Sequence, residues 1–165
     1  MLNINSLLFD GHKILAESHS KTPKLDAEIL LSSVLNKDLK EIIIEKKLNL
    51  NQSNINTFKE LIRRRRHGEP IAYILKKKEF WKYNFYVDCN VLIPRPDTEV
   101  IVEETLKILN NNKKYFVLDV GTGSGCIIIS LANERPNLMG TAIDISKKAL
   151  KVAKINAKMH QLLNR

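Results

Sequence analysis

The chain has 165 residues, 44% hydrophobic and 27% charged, enough for one good core or for a small domain joined to part of a larger one, and too apolar for a disordered tail. A formal charge of +9 suits an anionic partner, but the lysines are scattered along helices among many Asn and Ile, so charge alone does not favour direct nucleic-acid binding over a solvated surface. No stretch approaches the about 18 to 20 apolar residues of a membrane span, and "MLNINSLLFDGHKILAES" lacks the basic start and apolar block of a signal peptide, so a cytoplasmic protein without a membrane partner is expected.

Residues 1 to about 70 read as helices. Ile4, Leu7, Leu8, Ile14 and Leu15 recur at helical spacing, and Leu25, Ala27, Leu30, Leu31, Val34 and Leu35 form a second, wider apolar stripe. "NKDLKEIII" predicts a third, short helix. "NQSNINTFKELIRRRRHGEP" predicts a fourth, with Ile55, Phe58, Leu61 and Ile62 on one face and Gly68 and Pro70 behind it. Four such helices make a small bundle. The run Arg63 to Arg66 invites comparison with a phosphate-binding patch. A structural reading is favoured, because cations in a last turn meet the negative end of the helix dipole and four consecutive side chains diverge around a helix.

After Pro70 the period changes. "IAYIL", "EFWKYNFYV" and "NVLIP" are rich in β-branched and aromatic residues, which predicts short strands forming a hairpin between two domains, with Tyr73, Phe80, Trp81, Phe85 and Tyr86 as core and not as a base-stacking surface. In "LIPRPDTEVIVEETLKIL", Asp97 or Thr98 can cap a helix that turns Ile101, Val102, Leu106 and Leu109 inward. Arg95, Asp97, Thr98 and Glu99 are then polar side chains at a helix start, where a ligand can be met.

"YFVLDV" reads as a strand covered on both faces, interrupted only by Asp119. Gly121, Thr122, Gly123, Ser124 and Gly125 follow as a turn that a ligand can approach closely, and "CIIISLANERP" continues as a helix. "LMGTAIDIS" is a second strand with Asp144 at its carboxyl end. "KKALKVAKINAKMH" is the next helix, with Ala149, Leu150, Val152, Ala153, Ile155 and Ala157 on its buried side. This is a βαβα unit of the nucleotide-binding kind, with an acid placed for ribose hydroxyls. A dinucleotide fingerprint wants G-x-G-x-x-G, and Cys126 occupies its third glycine position. The G-x-G-x-G spacing, with Asp119 two residues before it, favours S-adenosylmethionine, whose ammonium group a carboxylate near the turn can meet. A P-loop is excluded because no Gly-Lys-Ser/Thr follows. Cys89 and Cys126 stand apart from each other and from any histidine cluster, so neither a disulfide nor a metal site is expected.

In "LDAEILL", "GEPIAYIL" followed by "EFW", "VLIPRPDTE", "VLDVGTGSGCIIISLA" and "AIDISKKALKVAKINA", in that order, the chain resembles release-factor glutamine methyltransferases of the HemK/PrmC type. Lys76 and Lys82 depart from the pattern, standing where the family commonly has glycine. The resemblance implies an α plus α/β architecture: a helical substrate-recognition domain over residues 1–70, a β-hairpin linker over 71–93, and over 94–165 the first βαβα part of a Rossmann-like class I methyltransferase sheet. It implies S-adenosylmethionine as cofactor, held by Gly121 to Gly125 and Asp144, with Asp119 nearby and Arg95, Thr98 and Glu99 closing over its methionine end. It also implies a peptide chain release factor as partner, methylated on the glutamine of its GGQ tripeptide, in the setting of translation termination and near the ribosome.

An amide nitrogen is a poor nucleophile, so catalysis must align it with the methyl group and favour its polarised form. The family's Asn-Pro-Pro-Tyr motif supplies those acceptors and does not occur among the 165 residues, so no catalytic residue is expected here. Two parallel strands with their helices are also a fraction of a doubly wound sheet. The expectation is therefore the front portion of a longer enzyme, inactive alone. Two alternatives are an adenine N-methyltransferase of nucleic acid and a non-catalytic binding fragment.

Overall fold

The computed structural model describes residues 4–44 and 50–165. They fall into two compact units, Met1–Leu75 and Lys76–Arg165. The parts of the helical expectation that fall on residues 1–3 and 45–49 lie outside the described residues.

The first unit contains α1 (Ile4–Ala16), α2 (Pro23–Leu35), α3 (Leu39–Ile44), α4 (Gln52–Arg66) and α5 (Ile71–Leu75). Proline at its first turn starts α2, and Asn36 in the left-handed region ends it. Asn51 caps α4 by accepting the Asn54 amide at 2.8 Å. Leu7, Leu15, Leu30, Leu31, Phe58 and Ile62 anchor one apolar core. Gly11 lets α1 close on α4, since a Cβ there would lie 2.8 Å from the Phe58 ring. "IAYIL", expected as a strand, is α5. Its β-branched residues suit a strand, but Ile74 is buried in the helical core, and that burial outweighs propensity.

The arginine run is structural. Arg63 forks onto Glu60 and Arg64 onto Glu69. Arg65 donates to Asp26, a 5% exposed carboxylate on α2 that also accepts from Ser20 and Thr22. Three of the four side chains thus meet carboxylates, and Arg65 ties α4 to α2.

The second unit begins with an antiparallel pair, β1 (Lys78–Phe80) and β2 (Tyr83–Phe85), closed by Phe80 opposite Tyr83 with Trp81 and Lys82 at the turn. Lys76 itself adopts φ 55, and in the hairpin the left-handed residue is Trp81, φ 58, and not Lys82. Phe80 and Phe85 are fully buried in this unit's core, edge to face. "NVLIP", read as a strand, forms none, although Val91 is buried. A single 3-10 turn, Pro96–Thr98, then leads into α6 (Glu99–Ile108), and neither Asp97 nor Thr98 caps it through its side chain. Ile101, expected inside, is half exposed, while Val102 is buried.

Strand β3 (Tyr115–Val120) lies parallel to β4 (Leu138–Ile143), with α7 (Cys126–Glu134) crossing between them and α8 (Lys147–Met159) following. This is the βαβα order of an α/β methyltransferase sheet. The expectation of two covered faces for "YFVLDV" is corrected. Phe116, Leu118 and Val120 are exposed and sit opposite Met139, Thr141 and Ile143, so α7 and α8 cover one face and the other stands open. Among the described residues no helix is long and apolar enough to cross a membrane.

Candidate functional site

The site grows from the carboxyl ends of β3 and β4. The amides of Gly121 and Thr122 both donate to the Ile143 carbonyl, at 2.9 and 3.0 Å, so the first bend is pinned to the end of β4. Gly121, Gly123 and Gly125 take φ of 78, 56 and 81, a region that side chains resist. Their surroundings differ. A Cβ on Gly121 or Gly123 would meet nothing within 4 Å, whereas one on Gly125 would lie 2.9 Å from Ile129 Cδ1 and 3.4 Å from Ala153 Cβ. The first two glycines thus present open backbone, and the third lets α7 approach α8.

The turn's polar side chains face inward. Thr122 and Ser124 are buried, and the Thr122 hydroxyl donates to Asp119 Oδ2 at 2.7 Å. Asp144 is bound directly to the turn: its Oδ2 accepts the Gly123 amide at 2.9 Å and its Oδ1 accepts the Ser146 amide at 2.8 Å. Those two donated bonds, Ser146 first and then Gly123, hold its carboxyl below the ordinary aspartate value, so it is ionised at neutral pH. Each oxygen keeps an unused lone pair. The next residue, Ile145, is fully exposed and offers a bare apolar side chain beside the acid. Burial pushes the Cys126 thiol up, which leaves it a packed protonated side chain.

The structure brings Asp119, Thr122, Gly123 and Asp144 together. It does not join Arg95, Thr98 or Glu99 to them by any hydrogen bond or ion pair among the described residues. Arg95 is exposed, and the Thr98 amide donates to the Arg95 carbonyl. Glu99 Oε1 accepts the Trp81 amide at 2.8 Å, so its carboxylate holds the hairpin turn. Glu134 holds the same turn from α7, accepting from Trp81 Nε1, Tyr83 and Lys82. Burial pushes the Glu134 carboxyl up, but the bonds from Lys82, Trp81 and Tyr83 outweigh it and leave it below its ordinary value. Sequence reasoning missed Glu134 and Asn156. For Asn156 the signal was a polar residue on the apolar side of "KKALKVAKINAKM". No group of three or more His, Cys, Asp or Glu able to hold a metal occurs among the described residues.

A parallel βαβα unit with an open glycine turn and an acid fastened to it fits an α/β methyltransferase of class I. Residues 111–164 match a methyltransferase domain family, and residues 6–75 match the PrmC N-terminal domain. The chain is 48% identical over 145 residues to the release factor glutamine methyltransferase of Coxiella burnetii, covering 88% of this chain and 52% of that protein. It is 44% identical to the one of Buchnera aphidicola subsp. Schizaphis graminum, covering 99% and 58%. A bifunctional methyltransferase of Rickettsia typhi is 38% identical, covering 99% and 35%. Over most of its own length the chain is thus similar to release factor glutamine methyltransferases, and it spans about half the length of the first two of these relatives.

Proposed function

We propose that the chain supplies the substrate-engaging helices and the cofactor half-site of an S-adenosylmethionine-dependent methyltransferase of the glutamine side-chain amide in the GGQ motif of peptide chain release factors. The observation that carries this reading is Asp144, ionised and bound through Gly123 to a turn whose open glycines leave room for a ligand. The Asp144 lone pairs suit the two hydroxyls of a ribose, and Ile145 suits the face of an adenine ring. The cradle at Gly121 and Gly123, which a Cβ would fill, suits the body of the cofactor. Asp119, which accepts from the Thr122 hydroxyl, would be the carboxyl group near the turn for an ammonium group.

The cofactor when bound supplies an electrophilic methyl on a sulfonium. In this reading the chain's own residues hold and orient it: the turn fixes its position, Asp144 its ribose, and the segment from Arg95 to Glu99 approaches from the hairpin side. The helical domain of residues 1–70 engages the release factor, residues 71–93, which include α5 and the β1–β2 hairpin, link, and 94–165 binds cofactor, in a cytoplasmic enzyme of translation termination. Acceptors for the glutamine amide are assigned to no residue of this chain.

Isothermal calorimetry tests the cofactor assignment. The chain should bind S-adenosylmethionine, and Asp144→Ala should weaken binding at least tenfold, the scale of a charge-assisted hydrogen bond. Equal binding by both forms removes Asp144 from the site. Titration with a GGQ-containing release factor and, separately, with a DNA duplex tests the substrate class. Binding of the duplex but not of the factor would favour the adenine-methylating alternative.

A further inference from the structure

We infer that Asn156 is a positioning residue that clamps the glycine turn to the chain leaving the hairpin, and so sets the geometry in which cofactor is bound. This rests on the cofactor reading above. Asn156 is fully buried. Its Oδ1 accepts the Tyr86 amide at 2.7 Å, and its Nδ2 donates to the Tyr86 carbonyl at 2.9 Å and to the Ser124 carbonyl at 2.8 Å. Both amide hydrogens and the oxygen are used. Toward Tyr86 the side chain behaves as a strand partner does, pairing with both the N–H and the C=O of one residue.

The third bond matters most for the site. Ser124 lies between Gly123, whose amide reaches Asp144, and Gly125, which packs on Ile129 and Ala153. Holding the Ser124 carbonyl fixes the rotation of the peptide that joins the open part of the turn to the packed part. Without that hold, glycines on either side leave the turn free to swing, because they resist few rotations. The other end of the clamp, Tyr86, lies nine, twelve and thirteen residues before Arg95, Thr98 and Glu99 in the chain. Asn156 is therefore a single side chain through which the turn and the entry to that segment share one support. A residue needed only for core filling at this position would be apolar, as Val152 and Ala153 are on the same helix.

The test uses the whole chain and compares Asn156→Ala, Asn156→Asp and, as a packing control, Val152→Ala, which removes buried methyl groups one helical turn away and leaves the clamp in place. Amide hydrogen exchange is read first, because it needs no cofactor. Asn156→Ala should speed exchange of the Tyr86 and Gly123 amides at least tenfold relative to β3 amides, and Val152→Ala should not alter that ratio. S-adenosylmethionine affinity should fall at least tenfold in Asn156→Ala and stay within about twofold of the parent in Val152→Ala. In Asn156→Asp the ionised carboxylate faces two carbonyls and cannot donate, while the protonated acid can donate to one, so both readouts should recover partly as pH is lowered from 8 to about 6. If Asn156→Ala does not fold, the pH response of Asn156→Asp decides the matter alone. Unchanged Gly123 exchange in Asn156→Ala, equal losses in Val152→Ala, or a flat pH response in Asn156→Asp overturns the clamp. Loss of protection at Gly123 with no cofactor binding even by the parent chain keeps the clamp and overturns the cofactor reading instead.

Discussion

Replacing Gly125 and Gly123 separately by alanine separates the two jobs assigned to the turn. At Gly125, φ 81, a left-handed alanine costs about 1–2 kcal/mol, of which about 0.4–1 kcal/mol is offset because alanine leaves the unfolded chain less free. Its new methyl would also stand 2.9 Å from Ile129 Cδ1 and 3.4 Å from Ala153 Cβ. The 3.4 Å approach to Ala153 is ordinary contact and the isoleucine terminus can swing aside, so crowding adds only the about 0.5–1.5 kcal/mol of turning that terminus off its preferred rotamer. The sum is a loss of about 0.5–3 kcal/mol. At Gly123, φ 56, the methyl meets nothing within 4 Å, and only the net backbone cost of about 1 kcal/mol applies. Urea unfolding reads the stability difference and calorimetry with S-adenosylmethionine reads the site. Gly125→Ala should be the less stable variant, and Gly123→Ala should bind more weakly than its small instability accounts for, since its methyl enters the space assigned to cofactor. Equal stabilities for the two variants, or parental affinity in Gly123→Ala, would refute the division of labour.

Three further predictions concern the rest of the chain. Asp26→Ala leaves the Arg65 guanidinium mostly buried with only the Glu69 carbonyl as partner, and should destabilise the helical unit by about 2–4 kcal/mol in urea unfolding, a figure reduced from that of a sealed pair because Arg65 keeps 19% of its side-chain surface in water; a loss under about 0.5 kcal/mol would refute it. Lys76→Gly relieves a lysine held at φ 55 and should raise stability by about 0.5–1 kcal/mol; a drop in the unfolding midpoint would show that another contact holds Lys76 there. Asp144 has a depressed carboxyl in the folded chain, so its contribution to stability is fully present above the ordinary aspartate value and is lost as pH falls through the depressed one. The stability gap between the parent chain and Asp144→Ala should therefore hold constant from neutral pH down to the ordinary aspartate range and close only below it. Closure near pH 6 would contradict the two amide bonds.

The order of elements was legible wherever periodicity and burial agree. Helices α1, α2 and α4 carry stripes that the structure buries, and the turn with its flanking strands follows from glycine spacing and a continuous apolar run. Sequence reasoning failed where local preference and tertiary setting conflict. The β-branched residues of α5 point to a strand, yet "IAYIL" packs as a helix against the first core. On α8, Ile155 looked buried and Asn156 did not, because periodicity ranks residues by hydrophobicity and cannot see that three backbone groups need a buried partner. Glu99 shows a further limit: its place in "IPRPDTE" suggests a ligand contact, and nothing in the sequence reveals that its carboxylate also accepts the Trp81 amide.

The glycine spacing can now be given a physical cause. In a dinucleotide fingerprint the third glycine serves helix packing, one place further along than Gly125. Here that packing role falls to Gly125 itself, whose missing side chain admits Ile129 and Ala153, and Cys126 is already the first residue of α7. The turn is therefore one residue shorter between its open part and its packed part. The Gly123 amide, which in a longer loop would be free to point at a phosphate, is instead committed to Asp144. A pyrophosphate arriving there would meet an occupied donor and an ionised carboxylate, whereas a cofactor with ribose hydroxyls and a positive charge meets acceptors. The proposed preference for S-adenosylmethionine over a dinucleotide thus rests on where the Gly123 hydrogen goes, and it makes a direct prediction: NAD should bind the chain at least a hundredfold more weakly than S-adenosylmethionine in competition calorimetry, and comparable affinities would sink the argument.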